Sequence, residues 1–147
     1  MPTPGEIVAQ YDHLKLHEAN EAETRLKVIN DVLYSVLGWT HADVKVEQRV
    51  SQDGKITWAD YVLKTGMTAL VVEAKKVGVA FSEMPDMRRS QLKGKFVTGD
   101  TGDTIVQARD YARKLAVPFA VVTNGNSWII FPATICPTII RYCGGTG

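Results

Sequence analysis

The chain is short of almost every feature that assigns a protein at sight. Of its 147 residues, 17 are Lys or Arg and 16 are Asp or Glu, a formal net charge of +1. It therefore lacks the basic excess usual in a nucleic-acid binder, and any contact with DNA has to come from local patches. It has two cysteines, Cys136 and Cys143, with no His or Cys partners at zinc-site spacing, and they read as free thiols in a reducing cytoplasm. The three histidines, His13, His17 and His41, are not spaced as a ligand set. No apolar run approaches membrane-spanning length, and residues 1–20 are polar and charged where a secretory signal would carry its apolar core. Gly99-Asp100-Thr101-Gly102 lacks the lysine of a phosphate-binding P-loop, and no dinucleotide glycine fingerprint is present.

What is there suits one soluble domain: 45% of residues are apolar and 22% charged, on a chain long enough to bury a core. Residues 1–16 read as a leader ordered only in part. Residues 17–37 read as one amphipathic helix, with Ala22, Leu26, Ile29, Leu33, Val36 and Leu37 at helical spacing and Gly38 as its stop. Residues 44–50 and 56–63 are strand candidates around an Asp53-Gly54 turn. Lys64-Thr65-Gly66 turns into a third strand, 69–75, so the three form an antiparallel meander. Residues 78–102 read as a loop or lid with a short helix near 87–93. Asp103 or Thr104 then caps a helix to about Leu115, ended by Val117-Pro118. Residues 119–123 and 127–131 flank Asn124-Gly125-Asn126, a hairpin signal. This order predicts a three-layer α/β domain over 17–132, its central mixed sheet flanked by helices. Residues 133–147 read as a tail, a chain end or the stump of a longer protein.

The third strand carries the chemistry. Leu70-Val71-Val72-Glu73-Ala74-Lys75 starts apolar and ends in an acid and a base two positions apart, which share one face of a strand. Charges buried there are costly unless paired or holding a metal. Asp60 on the preceding strand adds a second acid. Asp60 and Glu73, with the backbone carbonyl of Ala74, make an oxygen ligand set for Mg²⁺, and Mn²⁺ is its natural substitute. Lys75 would sit near an attacking water or a phosphate. The competing reading is an ordinary cross-strand ion pair between Asp60 and Lys75. Gln107 and Tyr111, four apart on the predicted second helix, share a face that could reach the acids, or they could be plain helix-flank residues. Glu18, Glu21 and Glu23 offer a third acid. Helical phase puts Glu18 and Glu23 nearer the apolar stripe than Glu21, while acids in a first helical turn are favoured without any further role. Lys76, Arg88, Arg89, Lys93 and Lys95 are candidate contacts to a phosphate backbone, against the alternative of a solvated loop.

Taken in order, six segments resemble the PD-(D/E)XK nuclease superfamily, and within it the N-terminal nuclease domain of type I restriction enzyme R subunits. They are Glu21-Ala22-Glu23-Thr24-Arg25, Leu37-Gly38-Trp39, Ala59-Asp60-Tyr61-Val62-Leu63, Val71-Val72-Glu73-Ala74-Lys75-Lys76, Gln107-Ala108-Arg109-Asp110-Tyr111-Ala112 and Val122-Thr123-Asn124-Gly125. The resemblance implies a restriction-endonuclease-like fold and a magnesium-dependent DNA endonuclease with Asp60, Glu73 and Lys75 at its core. It implies that Gln107 and Tyr111 form a Gln-x-x-x-Tyr element, and it favours Glu21 as the helix acid. It also implies a cytoplasmic protein of restriction or antiphage defence. Family members usually carry this domain ahead of a motor or effector module, and no such module lies within these residues. The alternative function is thus a DNA-binding or regulatory module that does not cut without a partner domain. Double-strand cutting needs two sites, hence a homodimer or a partner subunit.

Overall fold

A computed structural model describes residues 1–79, 81, 92 and 98–134. Helix α1 (Pro4–Leu16) is followed by α2 (Glu21–Thr24), which continues in wider π-type turns over Arg25–Ile29 and Val32–Val36. Strands β1 (Val44–Gln52), β2 (Lys55–Lys64) and β3 (Ala69–Ala74) come next, then helix α3 (Gly99–Lys114) and strands β4 (Phe119–Thr123) and β5 (Trp128–Pro132). The strands lie side by side in chain order. All neighbours are antiparallel except β3 and β4, which run parallel across the α3 connection.

The α/β class and the mixed sheet between helices are as expected from the order of elements. On one face Ile105, Ala108, Tyr111 and Ala112 of α3 pack on Val62, Val71, Ala120, Val122 and Phe131. On the other, Ile29 and Leu33 of the second helix pack on Tyr61, Leu63, Val72 and Val121. Both faces of β3 and β4 are therefore covered, which is why they read as unbroken apolar runs. Ile7 and Leu14 of α1 close a third, smaller cluster with Val28 and Val77. Among the described residues no helix is long and apolar enough to cross a membrane.

Three expectations change. Residues read as a partly ordered leader form α1, started by a reciprocal capping box in which the Glu6 carboxylate accepts from the Thr3 N–H and the Glu6 N–H donates to the Thr3 hydroxyl. The second helix starts at Glu21, not at residue 17, capped by the Asn20 side chain. Its buried stripe is Thr24, Val28, Ile29 and Leu33, whereas Leu26, Val36 and Leu37 are about half exposed or more, at 65, 48 and 57%. The π-type turns hold more residues than an α-turn, so a 3.6-residue stripe drifts off the buried face. Finally, Gly99-Asp100-Thr101-Gly102, expected as loop, is the first turn of α3, behind N-cap Thr98 rather than Asp103 or Thr104. Thr101 and Thr104 are buried there, and the Thr104 hydroxyl donates to the Asp100 carbonyl at 2.7 Å. The short helix near 87–93, the two cysteines and the tail beyond residue 134 lie outside the described residues.

Thr24 ties the second helix to the chain leaving β3. Its fully buried hydroxyl donates to the Asn20 carbonyl and accepts the Val77 N–H at 3.1 Å. Thr24→Val keeps the shape and strands that buried N–H. It is expected to lower stability by about 1–3 kcal/mol, seen as a lower urea midpoint at unchanged m-value.

Candidate active site

The site begins with a fault in the pleat. Glu47 lies inside β1 with φ of 50°, a left-handed conformation that costs a residue other than glycine roughly 1–2 kcal/mol. Val46 pairs with Tyr61 and Gln48 with Ala59, but Glu47 and Asp60 between them form no ladder pair. The alternation inverts at this point. Ala59 and Val62 both pack on the α3 side, so Asp60 and Tyr61, adjacent in sequence, both turn to the second helix. Arg25 of that helix meets them. Its guanidinium lies 5.1 Å from the Tyr61 ring centroid, and Nη1 is 3.3 Å from Asp60 Oδ1 and 3.5 Å from Glu47 Oε1. The Tyr61 hydroxyl is held by Asn30 Oδ1 at 2.7 Å.

Asp60 also closes the end of the β2–β3 ladder. Pairing runs as far as Tyr61 opposite Val72, and continuing the register sets Asp60 against Glu73. Instead, Asp60 Oδ2 accepts the Ala74 N–H at 2.7 Å. Glu73 is 4% exposed; its Oε1 lies 3.7 Å from Lys75 Nζ, and its buried Oε2 has no hydrogen-bond partner among the described residues. The Lys75 N–H donates to the Thr123 carbonyl at 2.8 Å, so the lysine backbone stays attached to β4. Lys75 thus pairs with Glu73, not with Asp60 as the cross-strand ion-pair reading had it.

The acids feel one another. Burial, and then the Asp60 charge, push the Glu73 carboxyl up to about 8, against the pull of Lys75. Burial raises Asp60 too, opposed by the Ala74 N–H and Arg25. Glu21 is raised by burial and by Asp60. Of the helix acids, Glu21 is therefore the one that shares this field, while Glu23 pairs with Lys27 at the surface at 3.3 Å and Glu18 is exposed. Among the described residues no group of three His, Cys, Asp or Glu side chains is gathered as a ready ligand set. The donors here among the described residues are hard oxygens, the Asp60 and Glu73 carboxylates with one Glu73 oxygen buried and unpartnered, which suits a hard cation.

Gln107 and Tyr111 do share a face, with the Gln107 amide donating to the Tyr111 hydroxyl at 2.9 Å. They line a cavity of about 390 Å³ with Thr57, Asp103, Val106 and Asp110. Among the described residues no hydrogen bond or ion pair joins them to Asp60, Glu73 or Lys75. Lys76 is exposed just beyond β3. Arg88, Arg89, Lys93 and Lys95 lie outside the described residues. Arg25 and Glu47 had been assigned no role. The four-residue spacing of Glu21 and Arg25 was a usable signal for the arginine; nothing in the sequence marks a left-handed glutamate.

No family model matches the chain, and no curated protein matches it. Among solved structures, one described as "Crystal structure of SSO0001" is similar over 80% of this chain, at 14% identity and a TM-score of 0.34. The chain spans 58% of that protein's length. A likeness that distant carries no argument about function.

The buried acid gives a pH signature. Unfolded, Glu73 would titrate near 4.5; folded, it titrates near 8. Between those values the folded state holds the extra proton, so stability falls as pH rises through the window. In metal-free buffer Glu73→Gln is expected to flatten that fall and to be more stable than the parent at pH 8, by on the order of 1 kcal/mol or more. Urea titrations from pH 5 to pH 8.5 check this; parallel curves for the two proteins would contradict it.

Proposed function

We propose that the chain is a magnesium-dependent DNA endonuclease, the nuclease module of a cytoplasmic restriction or antiphage system. The observation that carries the reading is the gathering of Asp60, Glu73 and Lys75 at one sheet end, where Asp60 Oδ2 accepts the N–H of Ala74, next in sequence to Glu73, and Lys75 lies 3.7 Å from Glu73. Asp60, Glu73, the Ala74 carbonyl and Glu21 would hold the divalent cation, Mg²⁺ or Mn²⁺ in its place. Such an ion supplies positive charge for phosphate oxygens and a more acidic water. The protein's own groups do the rest. Lys75 orients the attacking water or offsets charge building on the phosphate. Asp60 is held by Arg25 and by the Ala74 N–H, which ties its carboxylate to the end of β3 next to Glu73. Burial keeps water other than the reactant away from the acids. Gln107 and Tyr111 would act on the substrate from the α3 side.

One observation favours the second reading, a DNA-binding module that cuts only with a partner domain. Both Asp60 oxygens already have protein partners, so ligation by Asp60 asks for rearrangement at Arg25. A motor or effector subunit, or a second copy of this chain, could supply it.

Plasmid DNA incubated with the protein and Mg²⁺ should be nicked or linearised. Lys75→Ala should slow this by on the order of 100-fold or more, with fold and DNA binding kept. Undiminished cleavage by Lys75→Ala would remove the lysine from the mechanism. A parent protein that binds DNA yet leaves it uncut in both Mg²⁺ and Mn²⁺ would favour the second reading.

A further inference from the structure

The outer half of the β1–β2 hairpin, beyond the fault at Glu47, has one face against α3 and another that no described helix covers. Val50 pairs with Thr57, and both point to α3: Val50 lies in that core and Thr57 lines the cavity beside Gln107 and Tyr111. The alternate pairs, Arg49 opposite Trp58 and Ser51 opposite Ile56, must point the other way. Trp58 is 55% exposed and Ile56 53%, and Arg49 is exposed too. Among the described residues 49, 51, 56 and 58 that make up this stretch, Arg49 is the charged one.

This face runs on to Asp60. Asp60 lies two residues along β2 from Trp58, roughly 7 Å, and turns to the same side of the sheet. A flat indole beside a guanidinium is a surface on which an unpaired base stacks while its phosphate meets the cation.

We infer that Trp58 and Arg49 form a binding subsite for single-stranded DNA, with Trp58 stacking one base and Arg49 contacting its phosphate, and that it leads the strand to Asp60 and Glu73. The inference takes its ligand class from the nuclease reading, but its geometry needs no cleavage.

The test is binding of a fluorescent oligothymidylate by anisotropy, in EDTA so that nothing is cut. Trp58→Ala should weaken binding about 5- to 100-fold at unchanged salt slope, and Trp58→Phe should restore most of it. Arg49→Gln should lower the slope of log affinity against log salt by about 0.7. Both residues are exposed, so the variants are expected to keep the parent's melting curve. Unchanged affinity in Trp58→Ala would overturn the subsite, as would an equal loss for a duplex of the same length. A parent protein that sediments as a dimer, and that Trp58→Ala dissociates, would overturn it as well, making this face an interface between copies. A protein that binds the oligonucleotide through Trp58 yet never cuts plasmid counts against the nuclease reading alone.

Discussion

Glu47 held left-handed in the middle of an edge strand is the constraint from which the site follows. A regular strand would send Asp60 and Tyr61 to opposite faces of the sheet. With the alternation inverted at Glu47, both address the second helix, and a single arginine reaches both. Arg25 then does three things at once: it lies over the Tyr61 ring, it offsets the Asp60 charge, and its contact with Glu47 helps hold the residue whose backbone set up the arrangement. The same inversion frees the outer hairpin to carry Val50 and Thr57 toward α3 and Trp58 and Arg49 away from it. Strain of this kind persists only where the surrounding structure over-determines it, and here the β1–β2 pairs on either side of Glu47 and its contact with Arg25 hold it.

The second constraint is electrostatic. Burial raises the proton affinity of Asp60, Glu73 and Glu21; the Asp60 charge adds to it at Glu73 and Glu21, and the cations Arg25 and Lys75 only partly compensate. Glu73 bears the largest consequence because it is nearly sealed from water and one of its oxygens has no partner among the described residues. A protonated or uncompensated buried carboxylate costs stability that an apolar residue would return. Groups kept at such cost cluster where a site has work to do.

Much of the fold could be read from residue order, and the reasons for the rest are specific. The strands were legible because β3 and β4 are covered on both faces and β1–β2 turns at Asp53-Gly54, both residues at positive φ. Helix α1 was missed because its face is narrow: of its thirteen residues Ile7 and Leu14 are the buried ones. The second helix was placed too early and its stripe misassigned, because π-type turns do not announce themselves in a hydrophobic pattern. The Gly-Asp-Thr-Gly-Asp run read as loop because glycine weakens a helix, yet here Thr101 and Gly102 are buried inside its first turn. In the site, Glu73 and Lys75 share a strand face as alternation put them, and Asp60 reaches the end of β3 through the Ala74 N–H. The reach of Arg25 depended on the inverted pleat, which leaves no trace in the sequence.

Binding of a divalent ion in solution tests the central claim most directly, that Asp60 and Glu73 converge on one cation. Calorimetric titration of Mg²⁺, and of Mn²⁺ in parallel, into the parent protein should give one saturable site per chain. Asp60→Asn and Glu73→Gln should each abolish it while leaving the protein folded. No site-specific heat in the parent protein, or a site that survives both substitutions, would contradict the account.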